Sequence, residues 1–498
     1  MSSTSERQAE PNRWAVLGLL GIAQLMVVLD ATIINIALPS AQKSLGFSTD
    51  SRQWVVTAYA LAFGSLLLLG GKLGDLFGRK WTFIAGLAGF SLASAIGGLA
   101  QSFAMLVAAR ALQGAFGALL APSALSLLTV TFADSPDRPK AFGIFGAIAG
   151  GGASVGLILG GALTQALSWR WCLYVNLAIA IPTGIVALRL LVNHSSPDRP
   201  KIDVPGVLTG CGGLFALVYG FSNAETNSWT SPITIIALAA FVVLLVSFVL
   251  IEQRAAHPLL PLHIVWDRAR GGAYASIALA GAGVFAVFLF LTYFMQETLN
   301  LSPLTTGLAF MPMTALIVLS STTSQTRLLP RTGAKPLIIC GMVLGLVSML
   351  LLTRLTPSSS YAGGVLPSLL ILGLGMGLIF APAFGTATLG VAGNEAGVAS
   401  AMVNTSQQVG GSVGTSLLST LFASSAAAFA RSHIGTPDLS TAAQVHGYTT
   451  AFWWASGIFA VGLIVAVTLF PARIKPAEAT AGDASPAEPA GDVSLATD

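Results

Sequence analysis

The sequence predicts an all-α polytopic membrane protein with fourteen transmembrane helices, and three observations carry that prediction. Charged residues make up 9% of the 498 and hydrophobic residues 54%, where a soluble domain carries about 25% charged residues to keep its surface in water. Mean hydropathy is +0.78. Finally, the apolar residues gather into runs near the roughly 20 residues that cross a bilayer. With 24 Lys plus Arg and 20 Asp plus Glu, the chain cannot solvate a body of this size. That excludes a soluble enzyme, a disordered chain and a nucleic-acid binder.

The first apolar run, 14–38, is too long for the core of a cleavable signal and has no small-residue cleavage pattern behind it, so it reads as a permanent span. Further spans follow near 53–73, 80–101, 104–131, 140–164 and 169–192, then 204–224 and 230–252. A last group lies near 270–296, 304–325, 335–353, 363–390, 397–428 and 447–470. The stretches 1–13 and 471–498 are polar, the latter rich in Ala, Pro, Glu, Asp and Gly, and read as disordered tails.

Orientation follows from the basic residues, which accumulate in cytoplasmic loops. With a cytoplasmic N-terminus, eighteen of the 24 Lys and Arg fall in inside segments and five outside, while Arg110 lies within a span. A missed or invented span midway would erase this bias. Both termini are therefore expected on the cytoplasmic side. Cys172, Cys211 and Cys340 lie in or against apolar stretches without metal-ligand spacing, and read as buried free thiols; no metal site is expected.

An ionisable residue within the hydrocarbon costs a few kcal/mol or more and marks function by default. Asp30 lies in the first span and Arg110 in the fourth. A carboxylate in a low-dielectric site can load and release a proton, whereas arginine stays protonated. Asp30 is thus the candidate proton carrier and Arg110 its electrostatic tuner; the competing reading is that both are structural, paired with each other or with backbone carbonyls to fix helix packing. Replacing Asp30 by Asn is expected to leave insertion intact, since a neutral amide is cheaper in lipid than a charge. Glu252 and Glu297 sit at span ends and read as interfacial and solvated, and Glu225 and Glu395 also fall at span ends. Asn35 and Gln113, with Asn404, Gln407 and Gln408 in the thirteenth span, are candidates to line a cavity. For the 404–408 run, hydrogen bonding between helices serves equally well.

Between the second and third spans stands Gly71-Lys72-Leu73-Gly74-Asp75-Leu76-Phe77-Gly78-Arg79-Lys80. It reads as a helix end, a tight two-glycine turn and a charged cluster, in which Asp75 accepts from a neighbouring helix N-terminus or pairs with an arginine.

This decapeptide resembles the loop motif of the major facilitator superfamily, with Leu76 where a basic residue is usual. The run Leu29-Asp30-Ala31-Thr32-Ile33-Ile34-Asn35-Ile36-Ala37-Leu38-Pro39 resembles the first-span motif of the superfamily's fourteen-span drug:proton antiporter branch. Arg110-Ala111-Leu112-Gln113-Gly114 is similar to the fourth-span arginine motif, and Trp169-Arg170-Trp171-Cys172-Leu173-Tyr174-Val175-Asn176 to the segment opening the sixth span. Gly143, Gly152, Gly156, Gly160 and Gly161 match the spacing of the fifth-span antiporter motif, with Leu157 in its proline position.

The resemblance implies a major-facilitator fold: a six-helix bundle over 14–195, two linker helices over 202–254 and a second six-helix bundle over 268–470. Arg327, Arg331, Gly333 and Lys335 look like a decayed copy of the 71–80 loop, in keeping with two related halves. It further implies that Asp30 binds the proton, that Arg110 tunes its affinity, and that Gly71, Asp75, Gly78, Arg79 and Lys80 latch the cytoplasmic side. The fifth-span glycines would permit close packing between the two halves.

The function implied is export of hydrophobic or amphipathic drugs in exchange for protons from a bacterial inner membrane. The proton gradient would be the energy source and no cofactor is expected. No Gly-x-x-x-x-Gly-Lys-Ser/Thr loop supports an ATP-driven pump, and the five histidines fall in loops or span ends rather than in a catalytic cluster. The alternatives are a proton-coupled transporter of one metabolite, such as a self-made antibiotic, and a non-transporting receptor. The sequence is silent on oligomeric state.

Overall fold

The computed structural model describes residues 12–47, 54–193, 202–434 and 438–471, and these contain helices and loops but no strand. The spans in order are Arg13–Leu45, Trp54–Phe77, Arg79–Gly98, Phe103–Thr131, Arg138–Ala166, Trp171–Leu190, Val204–Thr226 and Pro232–Glu252. After a short helix Leu262–Trp266, the ninth begins at Arg268–Tyr293, and the last four are Ala334–Leu352, Leu366–Ala387, Ala396–Ser432 and Leu439–Leu469. The tenth is broken into Pro303–Ala309 and Met311–Thr323, because Pro312, at the start of the second piece, has no N–H for the preceding turn. The fifth bends by 41° between Arg138–Ala149 and Gly151–Ala166, where three consecutive glycines leave the helix weakest. Counted as one crossing, it brings the described spans to fourteen.

The first span outruns its expected end at 38 and passes Pro39, stopping at Leu45. Gly46 ends it in the left-handed region (φ 69°), its N–H capping the Gln42 carbonyl. The loop motif also differs from expectation. Gly74 stays helical, and Gly78 alone makes the turn at φ 93°, so one glycine suffices where two were expected.

Packing follows a repeated scheme. The first span lies against the fourth, fifth and sixth, the second against the fourth, and the third against the fourth and sixth. Shifted by eight spans, the same pairs recur: the ninth against the twelfth, thirteenth and fourteenth, the tenth against the twelfth, the eleventh against the twelfth and fourteenth. These are two bundles of six with one topology. Glycines set the closest approaches: Gly70 meets the Ala118 backbone in the first bundle, and Gly410 meets that of Ala278 in the second. The loop copies correspond too. Gly333, at φ 77°, starts the eleventh span as Gly78 starts the third. Lys80 donates to the Leu188 carbonyl at the end of the sixth span, and Lys335 to that of Phe470 just past the fourteenth, both at 2.8 Å.

The bundles meet along two seams, the fifth span against the tenth and twelfth and the second against the thirteenth. The seventh span packs on both the second and the thirteenth, so the extra pair covers the second seam. The eighth packs on the seventh and turns Ile233, Ile235, Ile236, Val242 and Val243 outward. Such a surface suits hydrocarbon, where its apolar side chains need no partner.

Candidate functional site

The first bundle buries an ion pair at its centre. Arg110 Nη1 donates to Asp30 Oδ2 at 2.7 Å, and their side chains are 1% and 0% exposed. Two amides complete the carboxylate's shell: Gln113 Nε2 and Asn176 Nδ2 each donate to Oδ1 at 2.7 Å. Arg110 Nη1 also donates to Gln113 Oε1 at 2.5 Å, and its Nε to the Val55 carbonyl at 3.3 Å. The guanidinium lies 4.4 Å from the ring centroid of Tyr59, itself stacked on Phe63. Asn176 Nδ2 is shared with Ser94 Oγ at 3.0 Å, and Ser94 donates to the Leu173 carbonyl at 2.8 Å.

Five spans thus converge on one carboxylate. Every contact made to Asp30 is a donor, an arrangement that fits the ionised acid, which only accepts. Two buried polar atoms beside it lack a partner, Asn176 Oδ1 and the Tyr59 hydroxyl. The expected pair of Asp30 and Arg110 is therefore brought together. Gln113, expected to line a cavity, is instead bonded to both charges with no exposed surface. Its reach of one helical turn from Arg110 puts it beside the guanidinium rather than on a free face.

The loop motif forms a second site. Asp75 accepts the N–H groups of Gly397 and Val398 at 3.0 and 3.3 Å, in the first turn of the thirteenth span. That is the positive end of the helix dipole. Arg79 Nη2 donates to Asp75 Oδ1 at 2.9 Å and to the Gly393 carbonyl. Both partners proposed from the sequence, a helix N-terminus and an arginine, are engaged at once. Gly71 and Gly397 lie back to back, since a Cβ on Gly71 would stand 2.5 Å from the Gly397 oxygen. Arg138 adds a third link between the halves, donating to the carbonyl and hydroxyl of Thr388 at 3.2 Å.

The five fifth-span glycines do not share one interface. Gly143 faces Gln325 and Ser321, and Gly161 faces Leu304, all in the second bundle. Gly152, Gly156 and Gly160 face Val28, Leu29 and Ile33 of the first span. Three of the five therefore seat the helix that carries Asp30, a correction that follows from the helical period: positions four apart share a face.

Several other expectations change. Glu252, read as solvated, is buried and accepts the N–H groups of Leu259 and Leu260, both at 3.2 Å. The chain doubles back beneath it at Pro258, whose carbonyl takes Lys72 Nζ at 2.8 Å. Glu297 is exposed as expected and accepts from the Tyr448 hydroxyl. Glu395 pairs with His263 at 3.1 Å. Asn404 is buried and donates to the Ser400 carbonyl of its own helix, while Gln408 packs against Gly64 and Gln407 is half-buried with its backbone against Gly281. The side chains of Asn35 and Glu225 lie outside the described residues. Cys172 is buried and Cys211 partly so, but Cys340 is exposed, on a face that the apolar run alone does not distinguish.

Asn176, Ser94 and Tyr59 were not among the expected site residues. Asn176 stands in the Trp169–Asn176 segment singled out for its resemblance, and its signal is an amide within an otherwise apolar run. Ser94 and Tyr59 have no such signal, because hydroxyl groups are common in membrane spans.

The sequence profile described as Major Facilitator Superfamily matches residues 20–415. The chain belongs to this family. A puromycin resistance protein, pur8, of Streptomyces alboniger is 46% identical over 485 residues, 96% of each chain. A cephamycin export protein, CmcT, of Amycolatopsis lactamdurans is 38% identical over 423 residues, 84% of this chain and 87% of that one. The tetracenomycin C resistance and export protein of Streptomyces glaucescens is 34% identical over 417 residues, 82% of this chain and 76% of that one. The crystal structure of the human organic anion transporter MFSD10 superposes with a TM-score of 0.61 over 92% of this chain and 100% of that one; at 15% identity it bears on the fold alone. This major-facilitator protein is thus a multi-pass membrane transporter of small molecules and not an enzyme.

Proposed function

We propose that this transporter exports hydrophobic or amphipathic antibiotics and related toxic compounds in exchange for protons, from a bacterial inner membrane with both termini in the cytoplasm. The observation that carries the reading is the carboxylate of Asp30, fully buried between spans and paired to Arg110. Such a group is costly in hydrocarbon and is the kind of site that exchanges a proton during a transport cycle. Asp30 is then the proton carrier and Arg110 a fixed cation that competes with the proton for the carboxylate. Protonation and substrate occupancy are coupled through this site, and coupling between two binding events is reciprocal.

In the same reading the Asp75, Arg79 and Gly71 contacts close the cytoplasmic side. Alternating access requires these contacts to break while the Asp30 site changes its proton occupancy. No cofactor takes part.

A second reading, export of a single self-made antibiotic, is favoured by relatives named for one compound each. Susceptibility profiling of a drug-hypersensitive strain expressing the chain separates the two: resistance to several unrelated scaffolds supports a broad exporter, and resistance to one supports the narrow one. Proton coupling is tested in proteoliposomes. Substrate should move outward only under an imposed pH gradient, and gradient-independent transport driven by ATP would overturn it.

A further inference from the structure

We infer that Asn176 is a positioning residue that reports the protonation state of Asp30, its amide turning over when the carboxylate takes a proton. The inference rests on the reading of Asp30 as proton carrier. It starts from an asymmetry in the hydrogen bonds. Asp30 receives three donated bonds, from Arg110, Gln113 and Asn176. Once protonated, the acid carries an O–H that needs an acceptor. The Gln113 oxygen is already taken by Arg110 at 2.5 Å. Of the two unpartnered acceptors beside Asp30, Asn176 Oδ1 belongs to an amide that already bonds the carboxylate through Nδ2, whereas the Tyr59 hydroxyl makes no hydrogen bond to it.

A half-turn of the amide exchanges the two atoms. Oδ1 then meets the new O–H, while the two N–H groups of Nδ2 give up their bonds to Asp30 and Ser94 and take the unpartnered place that Oδ1 held. The turn also withdraws Nδ2 from Ser94 Oγ, and Ser94 becomes free to redirect its proton from the Leu173 carbonyl to Asn176 Oδ1. Proton occupancy in the first span is thereby relayed to the contact between the third and sixth.

The other titratable groups facing Asp30 do not replace this role. Arg110 has no acceptor. Tyr59, on the second span, stacks under the guanidinium, and Cys172, on the sixth, is bonded with Thr164 and the Gly160 carbonyl. The fifth span presents glycines to this stretch of the first.

The test is pH-difference infrared spectroscopy on the full-length protein in lipid nanodiscs, labelled with carbon-13 at asparagine side-chain carbonyls, together with substrate exchange at each pH. In the unmodified protein a carboxylic-acid band and one labelled amide band should change together. Asp30→Asn should remove both, and Asn176→Leu the amide band alone. Because the amide serves both protonation states, Asn176→Leu should move the pH midpoint by less than about threefold in proton concentration while exchange falls at least tenfold. Asn176→Ser, which can donate and accept, should recover part of the exchange. An amide band that stays constant through the transition overturns the inference. So does a midpoint in Asn176→Leu raised tenfold or more in proton affinity, the mark of a fixed donor to a charged acceptor. If Asn176→Leu does not fold, the labelled spectrum of the unmodified protein decides alone. A carboxylic-acid band indifferent to Asp30→Asn would remove the proton reading itself, and this inference with it.

Discussion

Asp75, near the end of the second span, accepts the backbone N–H of Gly397 in the thirteenth at 3.0 Å, across 322 residues of sequence. The contact joins the two bundles directly, and in the proposed cycle it holds that end of the transporter shut. Removing it in Asp75→Leu costs the closed state about 1.5–3 kcal/mol, the worth of a hydrogen bond to a charged group. The closed-to-open ratio should fall roughly tenfold or more. Spin labels at the exposed positions Phe77 and Asn394 should report a longer distance. Substrate affinity should stay within about threefold; a large affinity loss with an unchanged distance distribution would oppose the assignment.

The glycines of this seam should act in the same direction. A Cβ on Gly71 would stand 2.6 Å from the Ala401 Cβ and 2.5 Å from the Gly397 oxygen. Gly71→Ala should therefore hold this end of the seam open, seen as faster labelling of a cysteine at position 394. Gly18→Ala is the control, since nothing lies within 4 Å of its Cβ. Equal labelling rates in the two variants would mean that the seam tolerates a methyl group.

For Asp30 the tertiary structure changes what substitution should do. From sequence alone, Asp30→Asn is cheaper in lipid than the charge it replaces. With Arg110 paired at 2.7 Å and buried, the same change strands a cation, and breaking a buried pair costs about 3–5 kcal/mol. Asp30→Asn should abolish gradient-driven export and also lower the melting temperature in detergent. Adding Arg110→Gln should restore much of the stability without restoring export. Asp30→Glu should keep partial activity with a shifted pH profile. Export at the normal rate by Asp30→Asn would make Asp30 structural.

The two faces of the fifth span should respond differently. A Cβ on Gly156 would press on the Thr32 hydroxyl and stand 2.9 Å from the Leu29 oxygen, one residue from Asp30. On Gly161 it would have 3.6 Å to the Leu304 backbone. Gly156→Ala should displace the first span and cut export at least tenfold, whereas Gly161→Ala should be tolerated. Similar effects of the two in a transport assay would contradict this division.

The sequence by itself determined the number of crossings, their places to within a few residues in most cases, and Asp30 and Arg110 as the two charges set within spans. Each has a local cause: apolar runs of bilayer length, and a carboxylate and a guanidinium with no other source of charge in the hydrocarbon. Turn glycines and helix caps are similarly local, and Gly78 was legible for that reason. Only the tertiary structure decided which groups complete the carboxylate's shell. Asn176 and Ser94 lie 146 and 64 residues from Asp30 in sequence, and a polar residue in a span looks the same whether it faces a partner helix or a cavity. The burial of Glu252 depended on a fold-back at Pro258 that no periodicity encodes. The split of the fifth-span glycines depended on which helix stands at each face. A glycine records that something comes close; what comes close is fixed by the packing of the whole bundle.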